Sequence, residues 1–527
     1  MSPQIYLDGN ATNPVMAPAV AAARLAMEHD YGNPSSTHAA GLRAKALLEG
    51  VRQRAARVLG AGEGRVMFNS GATEGIHTAV LSALVSLRER RVAGESVGRW
   101  LVYGATEHKA VPESLAHWNR LLGLNLEIIA LPVDGDGLHD LARLRTLGPD
   151  TALLCTMAAN NETGVVSDLP GIEHTLVATG SPALWLVDGV QVLGKLPLQL
   201  SATRIDYAPF SGHKLYAPKG IGMLYVRAGA PFTPLMVGGG QESGWRSGTE
   251  NMAGIAALGA VLIALEEGQT FRSTQQLQAF RDQLAASLRA AFSGLRFNAA
   301  FDKALPTTLN FSVPGWRSGE LLNLFDAAGL RVSGGSACSS GQGAPSHVLE
   351  AMNLPDGCSD SAIRLSFGPL VDAATIDCAC DAIARCGRAL QCGAAPRDAD
   401  QPGADRAQAA DGIDAHVIAD DAALHSFLQR HPDTVLVDVR EPCEHAASGG
   451  LRAGRFAAVN VPVASLGRHS NQWLRSGTPL VFVCRSGQRA VRAAAWLRGL
   501  GHAQAWHLRG GVAAYDSLVV NETLAAL

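Results

Sequence analysis

The sequence lacks an excess of charge of either sign, a long hydrophobic run and a leader segment. Its 527 residues carry a formal net charge of -3 without a basic patch, so there is no electrostatic reason to expect a nucleic acid partner. The longest plain apolar helix pattern, Ile255 to Leu265, is too short to span a bilayer. The amino-terminal residues run directly into a strand-like pattern, so we expect neither export nor organelle targeting.

Paired cysteine motifs are also missing. The nine cysteines are an odd number for a disulfide framework and suit free or reactive thiols in a reducing cytoplasm. Cys378, Cys380, Cys386 and Cys392 lie close together, but their spacing is uneven, falls on a predicted helix and contains no CxxC pair. We therefore predict a cytoplasmic protein without a metal site.

What is present fits an α/β protein of several domains. The length exceeds a single core, and the hydrophobic content of 47% is that of an ordinary globular protein. Strand patterns alternate with amphipathic helices, and polar clusters recur after strands, which predicts a mainly parallel sheet with its site at the carboxyl edge. Composition changes abruptly at Gly393 to Gly412, which predicts a linker, and a second α/β pattern begins near Ile413.

Lys214 follows an apolar strand pattern, Ile205 to Phe210. Taken alone, such a lysine is usually a solvated loop residue. At the end of a buried strand, however, desolvation favours the neutral amine, which can form a Schiff base with an aldehyde such as pyridoxal phosphate. An acid for the cofactor's ring nitrogen follows another strand at Asp188, and Gln191 could donate to its phenolic oxygen. Donors suited to a phosphate lie just before the lysine, at Ser211 and His213.

Three further polar clusters follow predicted strands. Gly71, Ala72 and Thr73 open a helix, where backbone N-H groups bind phosphate, although a capping turn without a ligand would look the same. His108 could stack on a planar cofactor or move protons, or it could be a packed histidine. The amides of Asn160 to Gly164 could bind a cofactor oxygen or a substrate carboxylate, or simply form a turn.

One thiol lies in a loop of small, flexible residues. Cys338 is surrounded by glycines and serines between Ser333 and Gly343, whereas a structural cysteine would have large apolar neighbours. This pattern predicts a mobile nucleophile. Further on, Arg364 alternates out of a strand pattern and could hold a carboxylate with two parallel hydrogen bonds.

From about Ile5 to Leu390 these motifs together resemble a pyridoxal phosphate-dependent cysteine desulfurase of the class V aminotransferase family. The resemblance implies a fold-type-I transferase with a large sheet domain and a small lobe, a homodimer with sites at its interface, and conversion of L-cysteine to L-alanine with sulfur left as a persulfide. The motifs that carry it are Asp188-Gly189-Val190-Gln191, Ser211-Gly212-His213-Lys214, Ser70-Gly71-Ala72-Thr73-Glu74, Thr106-Glu107-His108-Lys109, Asn160-Asn161-Glu162, Arg246-Ser247-Gly248-Thr249 and Ser336-Ala337-Cys338.

The resemblance also assigns roles to matching positions. Lys214 would hold the cofactor and move protons, His108 would stack on the ring and Asp188 would pair with the ring nitrogen. Cys338 would attack the substrate sulfur and carry it away, which requires a flexible loop. The implied cofactor and substrate contacts are Gly71, Ala72, Thr73, Ser211 and His213 for the phosphate, with Thr249 from the neighbouring subunit, Gln191 and Asn161 for the phenolic oxygen or substrate, and Arg364 and Asn33 for substrate. The sequence departs from the family at Asn13 and Ala217, neither expected to touch a reactive group.

The second α/β pattern carries its own cysteine. A strand, Leu480 to Val483, ends in Cys484-Arg485-Ser486-Gly487-Gln488-Arg489 and runs into a helix, so backbone N-H groups and two arginines could stabilise a thiolate, a persulfide or an oxyanion. A phosphatase-like anion loop is the alternative. With the strand Val435 to Arg440, the segment from Ile413 to about Leu518 resembles a single-domain rhodanese, a sulfurtransferase. Its context departs from the family at Cys443, which could resolve a persulfide on Cys484 or be a bystander.

The sequence thus predicts a sulfur relay in which a persulfide on Cys338 passes to Cys484 and then to protein acceptors. Selenocysteine lyase activity and a tail that only binds partners are the alternatives, and the final acceptor stays open among iron-sulfur clusters, thiolated tRNA, molybdenum cofactor and a vitamin pathway. The expected boundaries are 1-390 for the desulfurase, with a large domain at about 15-260 and a small lobe at 1-14 and 261-390, then 391-412 for the linker and 413-527 for the rhodanese-like domain.

Overall fold

A mainly parallel sheet forms the centre of the amino-terminal region. The computed structural model describes residues 4-334, 346-355, 357-393, 416-515 and 518-520. The first strands are β1 (Ile5–Tyr6), β2 (Arg65–Asn69), β3 (Trp100–Gly104), β4 (Glu127–Leu131), β5 (Thr151–Met157), β6 (Leu184–Asp188), β7 (Tyr207–Ser211) and β8 (Gly222–Val226). Within these described ranges seven strands form one sheet in the order β2-β8-β7-β6-β5-β3-β4. Strands β3 to β7 are parallel, and β8 runs antiparallel to both of its neighbours, β2 and β7.

Helices cover both faces of this sheet. Strand β6 is apolar along Leu184 to Val187 because Trp185 and Val187 face one hydrophobic core and Leu186 faces the other. The predicted α/β class with a mainly parallel sheet is therefore confirmed. The helices of this region are α1 (Ala17–Glu28), α2 (Ala39–Val58), α3 (Ala72–Val92), α4 (Ala110–Leu121), α5 (Leu141–Leu147), α6 (Leu169–Ala178) and α7 (Met252–Glu267).

A smaller lobe follows, and the first strand of the chain belongs to it. Its strands are β9 (Arg296–Phe297), β10 (Thr308–Ser312), β11 (Leu330–Arg331), β12 (Ser333–Gly334) and β13 (Ala362–Ser366), and its helices are α8 (Thr274–Ala291), α9 (Ser318–Ala327), α10 (His347–Ala351), α11 (Cys358–Ser361) and α12 (Ala373–Gly393). Strands β12, β13, β10 and β9 form an antiparallel sheet. Strand β1 pairs in parallel with β11, so the first residues belong to this lobe before the chain crosses to the large sheet.

The carboxyl-terminal region has a second parallel sheet. Its strands are β14 (Val417–Ile418), β15 (Val435–Asp438), β16 (Leu451–Ala453), β17 (Phe456–Ala457), β18 (Val459–Asn460), β19 (Leu480–Val483), β20 (Ala505–Leu508) and β21 (Leu518–Val520), and its helices are α13 (Asp421–Arg430), α14 (Pro442–Ser448), α15 (Leu466–Ser476) and α16 (Gln488–Gly499). The order β14-β20-β19-β15-β18 places β19 at the centre, where its carboxyl end is flanked by two strands.

The carboxyl-terminal region packs on the small lobe through one helix. Helix α14 contacts α9 and α12 of the lobe. Its residues Cys443 and Ala447 join the lobe's hydrophobic core. Among the helices that the structure describes, none is long and apolar enough to cross a membrane.

Candidate active site

A cavity of about 410 Å³ opens at the carboxyl edge of the large sheet. In the sheet, Met157 of β5 pairs with Asp188 of β6, and the next strand, β7, ends at Ser211. All three residues line the cavity, whose volume lies in the roughly 300–1,000 Å³ range of small-ligand sites. The sequence-predicted residues that the structure brings to this cavity are Gly71, Ala72, Thr73, His108, Asn161, Asp188, Gln191, Ser211, His213, Lys214 and Arg364.

Lys214 reaches the cavity from the short 3-10 turn Gly212–Leu215 that follows β7. Its amine donates hydrogen bonds to the backbone carbonyls of Asn10 and Ala11 at 2.6 and 2.8 Å. The side-chain amide of Asn13 donates to the Lys214 carbonyl at 2.7 Å. Asn13 therefore contacts the backbone of Lys214 and not its amine, in keeping with the expectation that it touches no reactive group.

Two buried carboxyl groups lie beneath the cavity. Burial raises the pKa of Asp188 to about 6, against a hydrogen bond from the Val190 N-H and the charge of Lys214. Glu107 is more deeply buried, and burial together with the charge of Asp188 raises its pKa well above the ordinary value. Because two neighbouring buried carboxylates cannot both ionise cheaply, Glu107 stays neutral and Asp188 carries the charge once a cation lies beside it.

The start of α3 forms one end of the cavity. The N-H of Gly71 donates a hydrogen bond to the Asn69 side chain at 3.1 Å, so this N-H is already paired within the turn. The N-H groups of Ala72 and Thr73 belong to the first helical turn, where they have no intrahelical acceptor. They lie at the positive end of the helix dipole. Ala72 and Thr73 are therefore the backbone donors that this helix offers to an anion.

Two side chains near Lys214 complete this end. Ser211 and His213 line the cavity, and His213 Nδ1 lies 3.1 Å from Thr12 Oγ1. Burial lowers the pKa of His213 to about 4, and the positive charges of Lys214 and Lys219 add to the effect. His213 is therefore neutral at pH 7 and offers a hydrogen bond without a charge.

His108 lies in the loop between β3 and α4. Its Nδ1 accepts a hydrogen bond from the Ala110 N-H at 3.2 Å, so the neutral ring carries its proton on Nε2. Burial lowers the pKa of His108, and the charge of Lys214 lowers it further. The lowered pKa favours the neutral ring, with its proton on Nε2.

Arg364 lies in the middle of β13, with only 1% of its surface exposed. One terminal nitrogen donates to Asp8 Oδ1 at 2.5 Å, and the other donates to the Asn161 carbonyl at 3.1 Å. Its Nε is buried and has no hydrogen-bond partner among the described residues. A buried donor left unpaired at the wall of a cavity is suited to an incoming carboxylate.

No functional role was predicted for Asn10, Lys195 or His347, although all three lie at the site. The amine of Lys195 donates to Gln191 Oε1 at 3.0 Å and to Asn10 Oδ1 at 3.2 Å, while Gln191 Nε2 donates to the Asn10 carbonyl at 3.2 Å. The network therefore fixes the orientation of the Gln191 amide and joins it to the Lys214 amine through Asn10. The only signal was a lone lysine in the apolar stretch Val192 to Leu196.

The free energy of unfolding should depend on pH through the partly buried Lys195. Burial lowers the pKa of Lys195 from 10.5 to about 7, with Lys214 and Arg364 adding to the effect. Between these two pKa values the unfolded chain binds a proton at Lys195 that the folded protein does not. The free-energy cost of burying the charged amine is therefore full below about pH 7 and decreases as the pH rises toward 10.5. In Lys195→Met this gain is absent, so the free energy of unfolding of wild type minus variant should increase with pH in denaturant titrations. A pH-independent difference would contradict the assignment, and Lys195→Arg provides a variant that keeps the charge.

Two predicted residues, Asn33 and Thr249, do not line the cavity. Asn33 is exposed, and its side chain accepts a hydrogen bond from the Ser35 N-H at 2.9 Å. Thr249 is also exposed and lies away from the cavity lining of its own chain. Cys338 lies outside the described residues.

The residues around the cavity fit pyridoxal 5'-phosphate. Lys214 offers an amine, Asp188 offers a carboxylate for a cationic ring nitrogen, and the start of α3 with Ser211 offers donors for a phosphate. The unpaired Nε of buried Arg364 adds a position for a substrate carboxylate. Together with the large parallel sheet and small lobe, this donor set defines a pyridoxal phosphate enzyme of fold type I.

Comparison with known proteins agrees. The profile described as aminotransferase class-V matches residues 5–378, more than half of the chain. Cysteine desulfurase 2 of Trichormus variabilis is 39% identical over 375 residues, covering 71% of this chain and 90% of that protein. The cysteine desulfurase NifS of Azotobacter vinelandii is 36% identical over 377 residues, with the same 71% and 90% coverage. A solved NifS-like protein superposes with a TM-score of 0.65 at 31% identity, covering 74% of this chain and 99% of that one. The chain belongs to the pyridoxal phosphate-dependent aminotransferase class-V family.

The second cysteine site lies at the carboxyl end of β19. Cys484 is fully buried, and its sulfur accepts a hydrogen bond from the Ala490 N-H of α16 at 3.4 Å. Gly511 closes the loop so tightly that a Cβ there would lie 2.1 Å from the Arg485 carbonyl oxygen. The profile described as rhodanese-like domain matches residues 422–518, so the predicted carboxyl-terminal rhodanese-like domain is confirmed.

The two arginines of the Cys484 loop are bound to other side chains. Arg489 forms two hydrogen bonds with Glu444, at 2.5 and 2.7 Å. Arg485 Nε lies 2.7 Å from Asp326 Oδ2 in the small lobe. Both charges are thus shared with carboxylates. Against the effect of burial, the hydrogen bonds and charge of Glu444 raise the pKa of Arg489 and the charge of Cys484 adds to the rise, so Arg489 still acts on the thiol.

Cys443 lies at the contact between the two regions. Burial raises its pKa to about 11, and the charges of Glu444 and Glu441 add to the effect. Because the thiolate is the reactive form, a cysteine with this pKa is a poor partner for resolving a persulfide. The structure favours the bystander alternative, with Cys443 as a packing residue.

Proposed function

We propose that the aminotransferase class-V part of the chain is a cysteine desulfurase, which converts L-cysteine to L-alanine and leaves the sulfur as a persulfide on Cys338. The single observation that carries this proposal is one cavity that combines Lys214, Asp188 and an unpaired donor of Arg364. The names of the relatives, which match over most of their length, support it. The proposal includes a homodimer and the assignment of Cys338 from its motif.

The chain's own groups would bind and orient cysteine. Arg364 Nε would hold the substrate carboxylate, and the Asp8 and Asn161 contacts keep the guanidinium from turning away. Asp188 would stay ionised and pair with the cofactor's ring nitrogen, while Glu107 stays neutral. Ala72 and Thr73 would hold the phosphate at the helix start.

The cofactor, when bound, supplies an electron sink that makes the substrate's carbon-hydrogen and carbon-sulfur bonds easier to break. Lys214 would take the proton from the substrate Cα, and His108 would exchange protons at Nε2. The Cys338 thiolate would attack the substrate sulfur, so that a sulfur-sulfur bond forms as the Cβ-sulfur bond breaks. The substrate Cβ then takes up one proton and the Cα regains one, and the product leaves as alanine.

Product analysis tests this activity. With L-cysteine and reductant, the purified holoenzyme should release alanine and sulfide in equal amounts. Without reductant, it should retain a persulfide on Cys338 that mass spectrometry locates. Selenocysteine lyase activity is the alternative, and much faster turnover of selenocysteine with little turnover of cysteine would favour it.

We further propose that the persulfide passes from Cys338 to Cys484. In this step the Cys484 thiolate attacks the outer sulfur of the persulfide, and the Cys338 thiolate leaves, so no external oxidant is needed. This proposal includes the boundaries 1-390, 391-412 and 413-527, which would put each thiol in its own domain. Because both thiols belong to one chain, the transfer is intramolecular, and a short linker would give an effective concentration of about millimolar.

Sulfur labelling tests the relay. After incubation with L-[³⁵S]cysteine, label should appear on Cys484 of the intact chain, and Cys338→Ser should abolish it. Cys380→Ser, which removes another thiol of the small lobe, is the control and should leave the labelling unchanged. Undiminished labelling of Cys484 in Cys338→Ser would show that the relay is wrong.

The alternative of a purely partner-binding tail makes a different prediction. The hydrogen bond from the Ala490 N-H at the start of α16 to the Cys484 sulfur favours chemistry over docking alone. The chain should therefore form thiocyanate from cyanide and a sulfur donor, and Cys484→Ala should lose this activity while alanine formation continues. Equal thiocyanate formation in Cys484→Ala would favour the binding-only tail.

A further inference from the structure

The carboxyl-terminal domain contacts the small lobe through an apolar patch. Helix α14 packs against α9 and α12, and Ala447, which is 6% exposed, belongs to the lobe's hydrophobic core. Cys443 of α14 also packs against this core, which contains the buried Cys386 of α12.

A polar contact lies beside this patch. Arg485, the residue directly after Cys484, lies 2.7 Å from Asp326 Oδ2 and donates to Asn323 Oδ1 at 2.9 Å. Asp326 and Asn323 are both on α9. The contact thus joins the loop of the sulfurtransferase cysteine, and not a remote part of its domain, to the desulfurase.

The same helix lies beside the origin of the Cys338 segment. Helix α9 packs against β12, which ends at Gly334, and a Cβ on Gly334 would lie 3.1 Å from Ser318 Oγ of α9. Cys338 is four residues further along the chain, and four extended residues span at most about 14 Å. One helix therefore binds the Cys484 loop and supports the strand from which Cys338 departs.

We propose that the Asp326 and Asn323 face of α9 is the docking site that aligns the Cys484 loop for sulfur transfer. This inference rests on the proposed relay and assigns Asp326 and Asn323 as positioning residues. The apolar patch of α14 provides contact area, whereas the charged contact sets the register of the loop. An ion pair that is partly exposed adds little affinity, but like charges placed face to face are strongly unfavourable, so charge reversal is the sharp test.

Alkylation of Cys443 measures docking directly. In the docked chain Cys443 is half-buried, so iodoacetamide should modify it slowly, while the exposed Cys378 on α12 serves as an internal standard. Asp326→Lys places a cation against Arg485 and should raise the Cys443 rate relative to Cys378 by about tenfold or more. Asp381→Lys on the exposed face of α12 makes the same charge change away from the contact and should not.

Sulfur transfer is measured on the same variants. Asp326→Lys should slow [³⁵S] labelling of Cys484 by about tenfold, while alanine formation with excess reductant stays within twofold of wild type. Because Asp326 also pairs with Arg331, Asn323→Lys offers a second variant that keeps this pair if Asp326→Lys does not fold.

The outcomes separate the two proposals. If wild type itself fails to label Cys484, the relay is wrong, and the alkylation rates alone decide whether Asp326 holds the domain. If Cys443 alkylation is the same in wild type, Asp326→Lys and Asn323→Lys, the docking contact is wrong. If alkylation rises but labelling of Cys484 keeps its rate, the positioning role is wrong.

Discussion

Replacing Lys214 with alanine is expected to reduce alanine formation from L-cysteine by at least about 10³-fold, because the amine both holds the cofactor and moves the substrate proton. Lys195, the other amine in this hydrogen-bond network, is held by Gln191 and Asn10 and is therefore not expected to replace Lys214. Alanine release measured by chromatography, together with the absorbance spectrum of the bound cofactor, checks the result.

The cofactor should still enter the Lys214→Ala cavity through the helix-start and Asp188 contacts, but without the covalent link. Borohydride reduction should therefore fix the cofactor to the wild-type chain and not to the variant, from which denaturation should release it. Lys45→Ala, on the exposed surface of α2, is the matched control and should keep wild-type turnover. Turnover in Lys214→Ala near the wild-type rate would remove the basis of the proposed mechanism.

Replacing Arg364 with lysine should lower kcat/KM for L-cysteine by about 10²-fold or more. A lysine at this position keeps the charge but loses the fork that serves Asp8, the Asn161 carbonyl and the substrate together. Removing one partner of a buried charged contact typically costs several kcal/mol, in keeping with a loss of this size. Steady-state kinetics with varied cysteine provide the measurement.

Cysteamine makes the Arg364 experiment specific, since it has the amine and thiol of cysteine but no carboxylate. Its binding, followed by the change in the cofactor spectrum, should be the same in wild type and Arg364→Lys. Arg296→Lys, on the exposed edge of the small lobe, is the control. Equal losses for cysteine and cysteamine would show that Arg364 supports the fold and not the substrate carboxylate.

Much of the site could be predicted because a simple rule places it. Polar residues after parallel strands meet at one edge of the sheet, and this rule brings Asp188, Ser211 and Lys214 together. The rule does not extend to contacts between distant segments. Lys195 meets Asn10 across 185 residues of sequence, and neither residue stands at the end of a strand.

The same limit applies to the carboxyl-terminal domain. The cysteine loop and its place after a central strand could be predicted, because strand, loop and helix are consecutive in the sequence. The partners of its arginines could not, since Arg485 reaches Asn323 across 162 residues. That contact lies between two domains, where the order of strands and helices within either one gives no information.

The route of the first residues has a mechanical consequence. Strand β1 pairs with β11 of the small lobe, yet a few residues later Asn10 and Ala11 receive the hydrogen bonds of the Lys214 amine in the large domain. On the same short strap, Asp8 contacts Arg364. Any rotation of the lobe would therefore move the contacts of the lysine and of the carboxylate-binding arginine together. The amino-terminal segment would couple the two halves of the cavity mechanically.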